Sequence, residues 1–166
     1  MAIRRGATYR LLYGDVEGDR ISRAHGLAVR AGTILQKIIQ EMAPQAQYQS
    51  KLKDPAMDRV LRADIVYSGK AIELKLGYEF DTKKAAKEIE DIRQFARLIS
   101  VREGVLIRPT ICLFQAENQD ELLGFKADTS AIDLITGHQL CELLSIDYAT
   151  VLRSVHDEAM RKLDAS

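Results

Sequence analysis

The stretch RADIVYSGKAIELKLG, residues 62–77, decides which fold the sequence predicts. It holds two β-prone runs, DIVY and KAIELK, on either side of Ser68-Gly69. A two-residue connection that contains glycine between such runs is typical of a β-hairpin. Apolar residues occur on both faces of the two runs, which is the pattern of strands in the middle of a sheet. We therefore predict a central hairpin with Ser68 and Gly69 at its turn.

Two carboxylates face each other on this predicted hairpin. With the turn at 68–69, Asp64 lies opposite Glu73, and Lys75 shares their face because side chains alternate along a strand. Like charges in this position destabilise a sheet, so the pair requires a cation or a proton. Hard oxygen ligands suit Mg²⁺ or Mn²⁺, and a neighbouring ammonium group suits a phosphate. The residues predict a phosphodiester-hydrolysing site, and a solvated hairpin whose charges Lys75 neutralises stays an alternative.

The rest of the chain supplies helices and strands around the hairpin. Apolar residues at spacings of three and four predict helices at about 20–42, 81–100, 138–144 and 147–163. Extended runs predict strands at 46–52, 64–67, 70–75, 110–115 and 131–135. Gly26 and Gly32 predict that the first helix is broken in its first half or begins later. The last helix is predicted to face the core through Tyr148, Leu152, Val155 and Ala159.

The order of these elements predicts the fold class. Helix, strand, hairpin, helix, strand, strand, helix is an α/β arrangement, in which helices flank a central mixed sheet and further helices follow at the C-terminal end. The hairpin side chains on the face away from the carboxylates are predicted to enter the core, and they are Ile65, Ile72 and Leu74. No repeat or long linker divides the sequence, so we expect residues 1–166 to form a single domain.

Composition narrows the class of protein. The 166 residues are 46% hydrophobic and 29% charged, which is ordinary for a globular protein and argues against a disordered chain. No run approaches the roughly 20 apolar residues of a membrane span, and MAIRRGATYR lacks the apolar segment of a secretory signal. The two cysteines cannot staple a domain of this size. We therefore expect a cytoplasmic protein with no membrane partner, and we expect Cys112 and Cys141 in its core.

Charge gives a mixed indication about nucleic acid. The 24 basic and 24 acidic residues balance to zero, which does not by itself point to a nucleic-acid partner. Basic residues are nevertheless concentrated near the N-terminus and on both sides of the hairpin, which favours a rim around Asp64 and Glu73 that contacts phosphates, and a solvated mixed surface stays an alternative. They are Arg4, Arg5, Arg10, Arg20, Arg23, Arg30, Lys51, Lys53, Arg59, Arg62, Lys83, Lys84, Lys87, Arg93 and Arg97.

The motif Asp64 … Glu73-Leu74-Lys75 resembles the signature of the PD-(D/E)XK nuclease superfamily, which includes many type II restriction endonucleases and Holliday-junction resolvases. The resemblance implies that Asp64 and Glu73 bind Mg²⁺, with Mn²⁺ as a substitute, and that Lys75 orients the attacking water. It also implies the carbonyl of Leu74 as a further ligand. The α-β-β-β-α-β core of the family matches the element order predicted over about residues 20–115, so the resemblance implies a restriction endonuclease-like core.

Three positions depart from the family pattern or match it loosely. Ala63 stands where the family often has proline. Gln36 stands where many members carry a metal-reaching glutamate on the first helix, and Glu41 follows more than a turn later. Because a glutamine brings no charge, the number of metal ions stays open. Gln94 is similar to a glutamine that some members carry on the helix after the motif.

The resemblance implies a Mg²⁺-dependent DNA endonuclease, most similar to a type II restriction enzyme. A structure-specific repair or recombination nuclease is an alternative, and so is an inactive nucleic-acid-binding module of the same fold. One active site cuts one strand, so we expect a homodimer that acts on double-stranded DNA.

Overall fold

The computed structural model describes residues 15–77, 82–116 and 130–164. Four helices lie in these ranges: α1 (Asp15–Met42), α2 (Thr82–Glu103), α3 (Gly137–Leu144) and α4 (Tyr148–Asp164). Five strands lie between them: β1 (Gln47–Asp54), β2 (Arg59–Tyr67), β3 (Lys70–Lys75), β4 (Arg108–Leu113) and β5 (Asp133–Thr136). This is the predicted order, and the α/β class is confirmed.

The strands form one mixed sheet in the order β1-β2-β3-β4-β5. The pairs β1–β2 and β2–β3 are antiparallel, whereas β3–β4 and β4–β5 are parallel. Helix α2 makes the crossover between β3 and β4, as parallel neighbours require. The predicted central mixed sheet is therefore confirmed, and the arrangement is compatible with a restriction endonuclease-like core.

Helices cover both faces of the sheet. One buried cluster lies between the sheet and helices α1, α3 and α4; among its members are Leu35, Ile39, Ile65, Ile72, Leu74, Leu140 and Val151. The other lies between the sheet and α2; among its members are Leu61, Ala63, Ala71, Ile89, Phe95 and Ile111. Both buried cysteines, Cys112 and Cys141, belong to the first cluster, as their apolar surroundings predict.

The hairpin register is the predicted one. Ser68 and Gly69 have φ angles of 48° and 72°, and positive φ at both central residues is the mark of the turn that suits twisted hairpins. Ile65 pairs with Ile72, and the pairs Val66–Ala71 and Tyr67–Lys70 follow toward the turn.

The first helix differs from the prediction, which was wrong about its glycines. Helix α1 begins at Asp15 and runs through Gly26 and Gly32 without a break. Each glycine costs about 1 kcal/mol relative to alanine, but tertiary packing overrides such preferences. Helix α1 packs along α4 and buries Leu35 and Ile39 completely, and this burial favours the helix.

The last helix turns a different residue toward the core than predicted. Leu152 is 41% exposed, whereas Val151 is fully buried. Tyr148, Val155 and Ala159 pack against the core as predicted, so the stripe keeps its spacing of three and four and only Val151 takes the place of Leu152. Helix α2 also continues beyond the predicted end to Glu103, where Gly104 follows with a φ of 69°. No helix in the described ranges is long and apolar enough to cross a membrane.

Candidate active site

The structure brings Asp64, Glu73 and Lys75 together on β2 and β3. Asp64 and Glu73 are one step beyond the paired residues Ile65 and Ile72, on the side away from the turn. The backbone N–H of Leu74 donates to Asp64 Oδ2 at 2.8 Å, and Lys75 Nζ donates to Glu73 Oε1 at 2.8 Å. The side chains of Glu73 and Lys75 are 21% and 24% exposed. The predicted trio is therefore half-buried, with Lys75 in contact with Glu73 and Asp64 held to β3 through the backbone of Leu74.

Strand β2 changes its orientation at Asp64. Leu61 and Ala63 pack in the cluster under α2, whereas Ile65 packs in the cluster on the opposite face. Residues two apart share a face in a regular strand, so the backbone is irregular between Ala63 and Ile65. Asp64 consequently lies at a local break in the β1–β2 ladder, where its side chain is half-buried.

Both carboxylates are costly to ionise in this position. Burial raises the pKa of Glu73 to about 7, and the carboxylate of Asp64 adds to the rise. Burial also raises the pKa of Asp64, although the Leu74 N–H and the Lys75 charge oppose it. A half-buried pair of this kind is stabilised by a cation, since a cation removes the repulsion that a proton otherwise removes.

Lys75 lies between two carboxylates, one of which the sequence did not reveal. Its Nζ is 3.0 Å from Glu88 Oε1 on α2, in addition to Glu73. Burial alone lowers the pKa of Lys75, but Glu73 and Glu88 outweigh it, so the pKa is raised. A signal for Glu88 existed, because Glu88 falls three residues after Ala85 and so lies beside the buried stripe of α2, where it is half-buried.

Gln36 lies beside Asp64, as the family pattern implies, and it is joined there by Gln49. The Nε2 of Gln49 donates to Gln36 Oε1 at 3.1 Å and to Asp64 Oδ1 at 3.2 Å. Hydrogen bonding from both glutamines opposes the rise in the pKa of Asp64 that burial causes. A cavity of about 310 Å³ opens next to them, lined by Thr33, Gln36, Lys37, Gln40, Tyr48, Gln49, Asp64 and Ile65.

The other accessory positions lie apart from the trio. Gln94 is half-buried on α2, six residues beyond Glu88, and no hydrogen bond within the described ranges joins it to Asp64 or Glu73. Glu41 is exposed and pairs with Lys37 at 3.7 Å. The structure therefore brings Gln36 to the site but neither Gln94 nor Glu41.

The carboxylate pair fits a magnesium ion but not a metal that needs several protein ligands. Among the residues described, no three His, Cys, Asp or Glu side chains converge as a metal site. Mg²⁺ is usually held by one or two carboxylates and completes its shell with waters and substrate phosphates. Asp64 and Glu73, whose pKa values burial raises, are the donors that such an ion would join.

Only part of the predicted basic rim lies in the described residues, and some of its members are paired. Arg59 Nη1 is 2.6 Å from Asp91 Oδ1, and Lys53 Nζ is 2.7 Å from Asp58 Oδ1. Lys51, Arg62, Lys87 and Arg97 are exposed. Arg4, Arg5 and Arg10 lie outside the described residues. The phosphate-contacting rim stays a prediction.

The chain has a partial relative of known activity. It is 37% identical over 84 residues to the type II restriction enzyme HhaII of Haemophilus parahaemolyticus. Those residues are 50% of this chain and 37% of that enzyme, so the chain spans little more than a third of the relative's length. No family model matches the chain, and no solved structure matches it significantly. Half of the chain is thus related in sequence to a restriction enzyme.

Proposed function

We propose that this protein is a Mg²⁺-dependent DNA endonuclease of the type II restriction kind, with Asp64, Glu73 and Lys75 as its catalytic residues. The placement of two half-buried carboxylates on adjacent strands, with Lys75 in contact with Glu73 and its charge acting on Asp64, carries the proposal. The similarity to a type II restriction enzyme supports it independently. Asp64 and Glu73 would hold the ion, with Mn²⁺ as a substitute.

In the proposed site, some side chains would supply charge and others would orient the reacting groups. A bound divalent cation would neutralise charge on the scissile phosphate and make water more acidic. The Leu74 N–H fixes one oxygen of Asp64. Lys75 stays protonated at neutral pH because Glu73 and Glu88 raise its pKa, so its ammonium group can orient a water and attract a phosphate. Glu88 keeps that ammonium group in place from the opposite side.

The proposed substrate is double-stranded DNA, and the proposed active form is a homodimer. A single trio cuts a single strand, and a two-fold symmetric pair of chains presents two trios to the two strands. The exposed basic residues Arg62, Lys87 and Arg97 would contact phosphates around the site.

One observation favours a second candidate, an inactive nucleic-acid-binding module. Gln36 contacts the hydrogen-bond network of Asp64 but adds no negative charge to it. A site with two carboxylates in place of three holds a cation more weakly, because the charge of the ligands sets the affinity. A structure-specific repair nuclease shares the chemistry of the first candidate and differs only in its substrate.

Cleavage of defined DNA substrates tests the proposal. Supercoiled plasmid and a branched junction are incubated with the purified protein and Mg²⁺ or Mn²⁺, and D64A and K75A are compared with the wild type. D157A and K162A, which remove exposed charges from α4, are matched controls. We expect the controls to cut like the wild type and the site variants to lose at least about 100-fold in rate.

The outcomes separate the candidates. Preference for the junction over the plasmid indicates a structure-specific nuclease. Divalent-ion binding in calorimetry without cleavage indicates the inactive module. Equal cleavage by wild type, D64A and K75A contradicts the assignment of the catalytic residues.

A further inference from the structure

Gln49 has a backbone conformation that is unusual for a β-strand residue. Its φ is 51°, in the left-handed region that residues other than glycine, asparagine and aspartate rarely adopt. It lies within β1, at the edge of the sheet, and its neighbours Tyr48 and Ser50 pair in register with Ile65 and Ala63. The ladder therefore skips only the position where Gln49 faces Asp64.

The irregularity affects β1 in the same way as β2. Tyr48 packs in the cluster that contains α1, whereas Leu52 packs in the cluster under α2, although four residues apart they would share a face in a regular strand. Both strands thus change face at the same rung. Strained backbone of this kind persists where the surrounding structure requires it, and it is concentrated at functional sites.

The side chain of Gln49 connects three elements at this rung. Its Nε2 group has two N–H donors, which lie 3.1 Å from Gln36 Oε1 and 3.2 Å from Asp64 Oδ1. The Leu74 N–H donates to the second oxygen of Asp64 at 2.8 Å. Each oxygen of the carboxylate therefore accepts a hydrogen bond from a different strand, and each keeps lone pairs for a cation.

We propose that Gln49 is a positioning residue that orients the Asp64 carboxylate for divalent-metal binding, and that its left-handed backbone is the conformation that brings its amide to that carboxylate. This inference rests on the proposed function, since it requires Asp64 to be a metal ligand. Partners that orient a metal ligand without touching the metal typically contribute 10- to 100-fold to affinity.

Two substitutions separate the backbone of Gln49 from its side chain. Q49G removes the amide and relieves the strain, because glycine adopts positive φ freely. Q49A removes the amide and keeps the strain. We expect both variants to bind Mn²⁺ about tenfold more weakly than the wild type in calorimetry at pH 8. In EDTA we expect Q49G to melt about 2–4 °C above the wild type, and Q49A to show no rise.

Opposite changes in the two measurements distinguish a positioning role from a structural one, since a residue that only supports the fold loses stability and affinity together. Q47A removes an exposed glutamine two residues earlier on β1 and is the side-chain control. D58G relieves another left-handed residue, with a φ of 46°, in the β1–β2 turn and is the backbone control. We expect neither control to change the affinity for Mn²⁺.

Two results overturn the inference in different ways. Wild-type affinity for Mn²⁺ in Q49G and Q49A removes the positioning role and leaves the proposed function intact. Absence of Mn²⁺ binding by the wild type removes the proposed metal site and the role of Gln49 with it.

Discussion

Replacing Glu73 with glutamine is expected to stabilise the metal-free protein at alkaline pH, although it removes a proposed catalytic residue. Glu73 is half-buried beside Asp64, and burial raises its pKa to about 7 from an ordinary value of 4.5. Between these two pH values the folded state keeps a proton that the unfolded state releases. The stability of the wild type therefore falls as pH rises through this window, and the full loss is present above about pH 7.

The magnitude follows from the shift. A rise from 4.5 to about 7 corresponds to about 3–4 kcal/mol at about 1.4 kcal/mol per pH unit. Glutamine does not ionise and escapes this penalty, which already includes the favourable contribution of Lys75 to the charged form. The gain for E73Q is therefore about 3 kcal/mol above pH 8, or a melting temperature about 6–12 °C higher in a domain of this size.

Thermal melts of wild type and E73Q in EDTA at pH 8.5 and pH 4.5 measure this effect. We expect the higher stability of E73Q at pH 8.5 to disappear at pH 4.5, because Glu73 is then protonated in the folded state and is as neutral as the glutamine that replaces it. E90Q, which neutralises an exposed glutamate on α2, is the control and should change stability by less than about 0.5 kcal/mol at either pH. Mg²⁺ should raise the melting temperature of the wild type but not that of E73Q. An E73Q protein no more stable than the wild type at pH 8.5, or equally stabilised at both pH values, refutes the reasoning.

Two further predictions concern the support of the site and of the fold. E88Q removes one of the two carboxylates that raise the pKa of Lys75. The alkaline limb of the profile of cleavage rate against pH should therefore move to lower pH. An unchanged limb would show that Glu88 does not act through Lys75. G137A places a Cβ against the carbonyl oxygen of Phe114 and the ring of Tyr148. The free energy of unfolding, measured by urea denaturation, should therefore fall by at least about 2 kcal/mol. A variant as stable as the wild type would contradict this packing at the start of α3.

The sequence predicts the hairpin well because a short stretch of neighbouring residues determines it. Ser68-Gly69 defines the turn, the turn defines the register, and the register brings Asp64 and Glu73 to one place. The sequence did not point to Gln49, because its proposed role depends on a left-handed backbone conformation that a glutamine in a strand does not predict. Val151 and Leu152 both fit the helical spacing from Tyr148, so only the packing of α4 decides which of them faces the core.

Anomalous diffraction from crystals soaked in Mn²⁺ shows whether Asp64 and Glu73 bind a divalent cation. We expect a single strong peak between Asp64 and Glu73, with carboxylate oxygens of both residues at about 2.1 Å, and no such peak in D64A. A peak elsewhere in the wild type, or none at this pair after soaking, would contradict the claim that these carboxylates form the metal site of a nuclease.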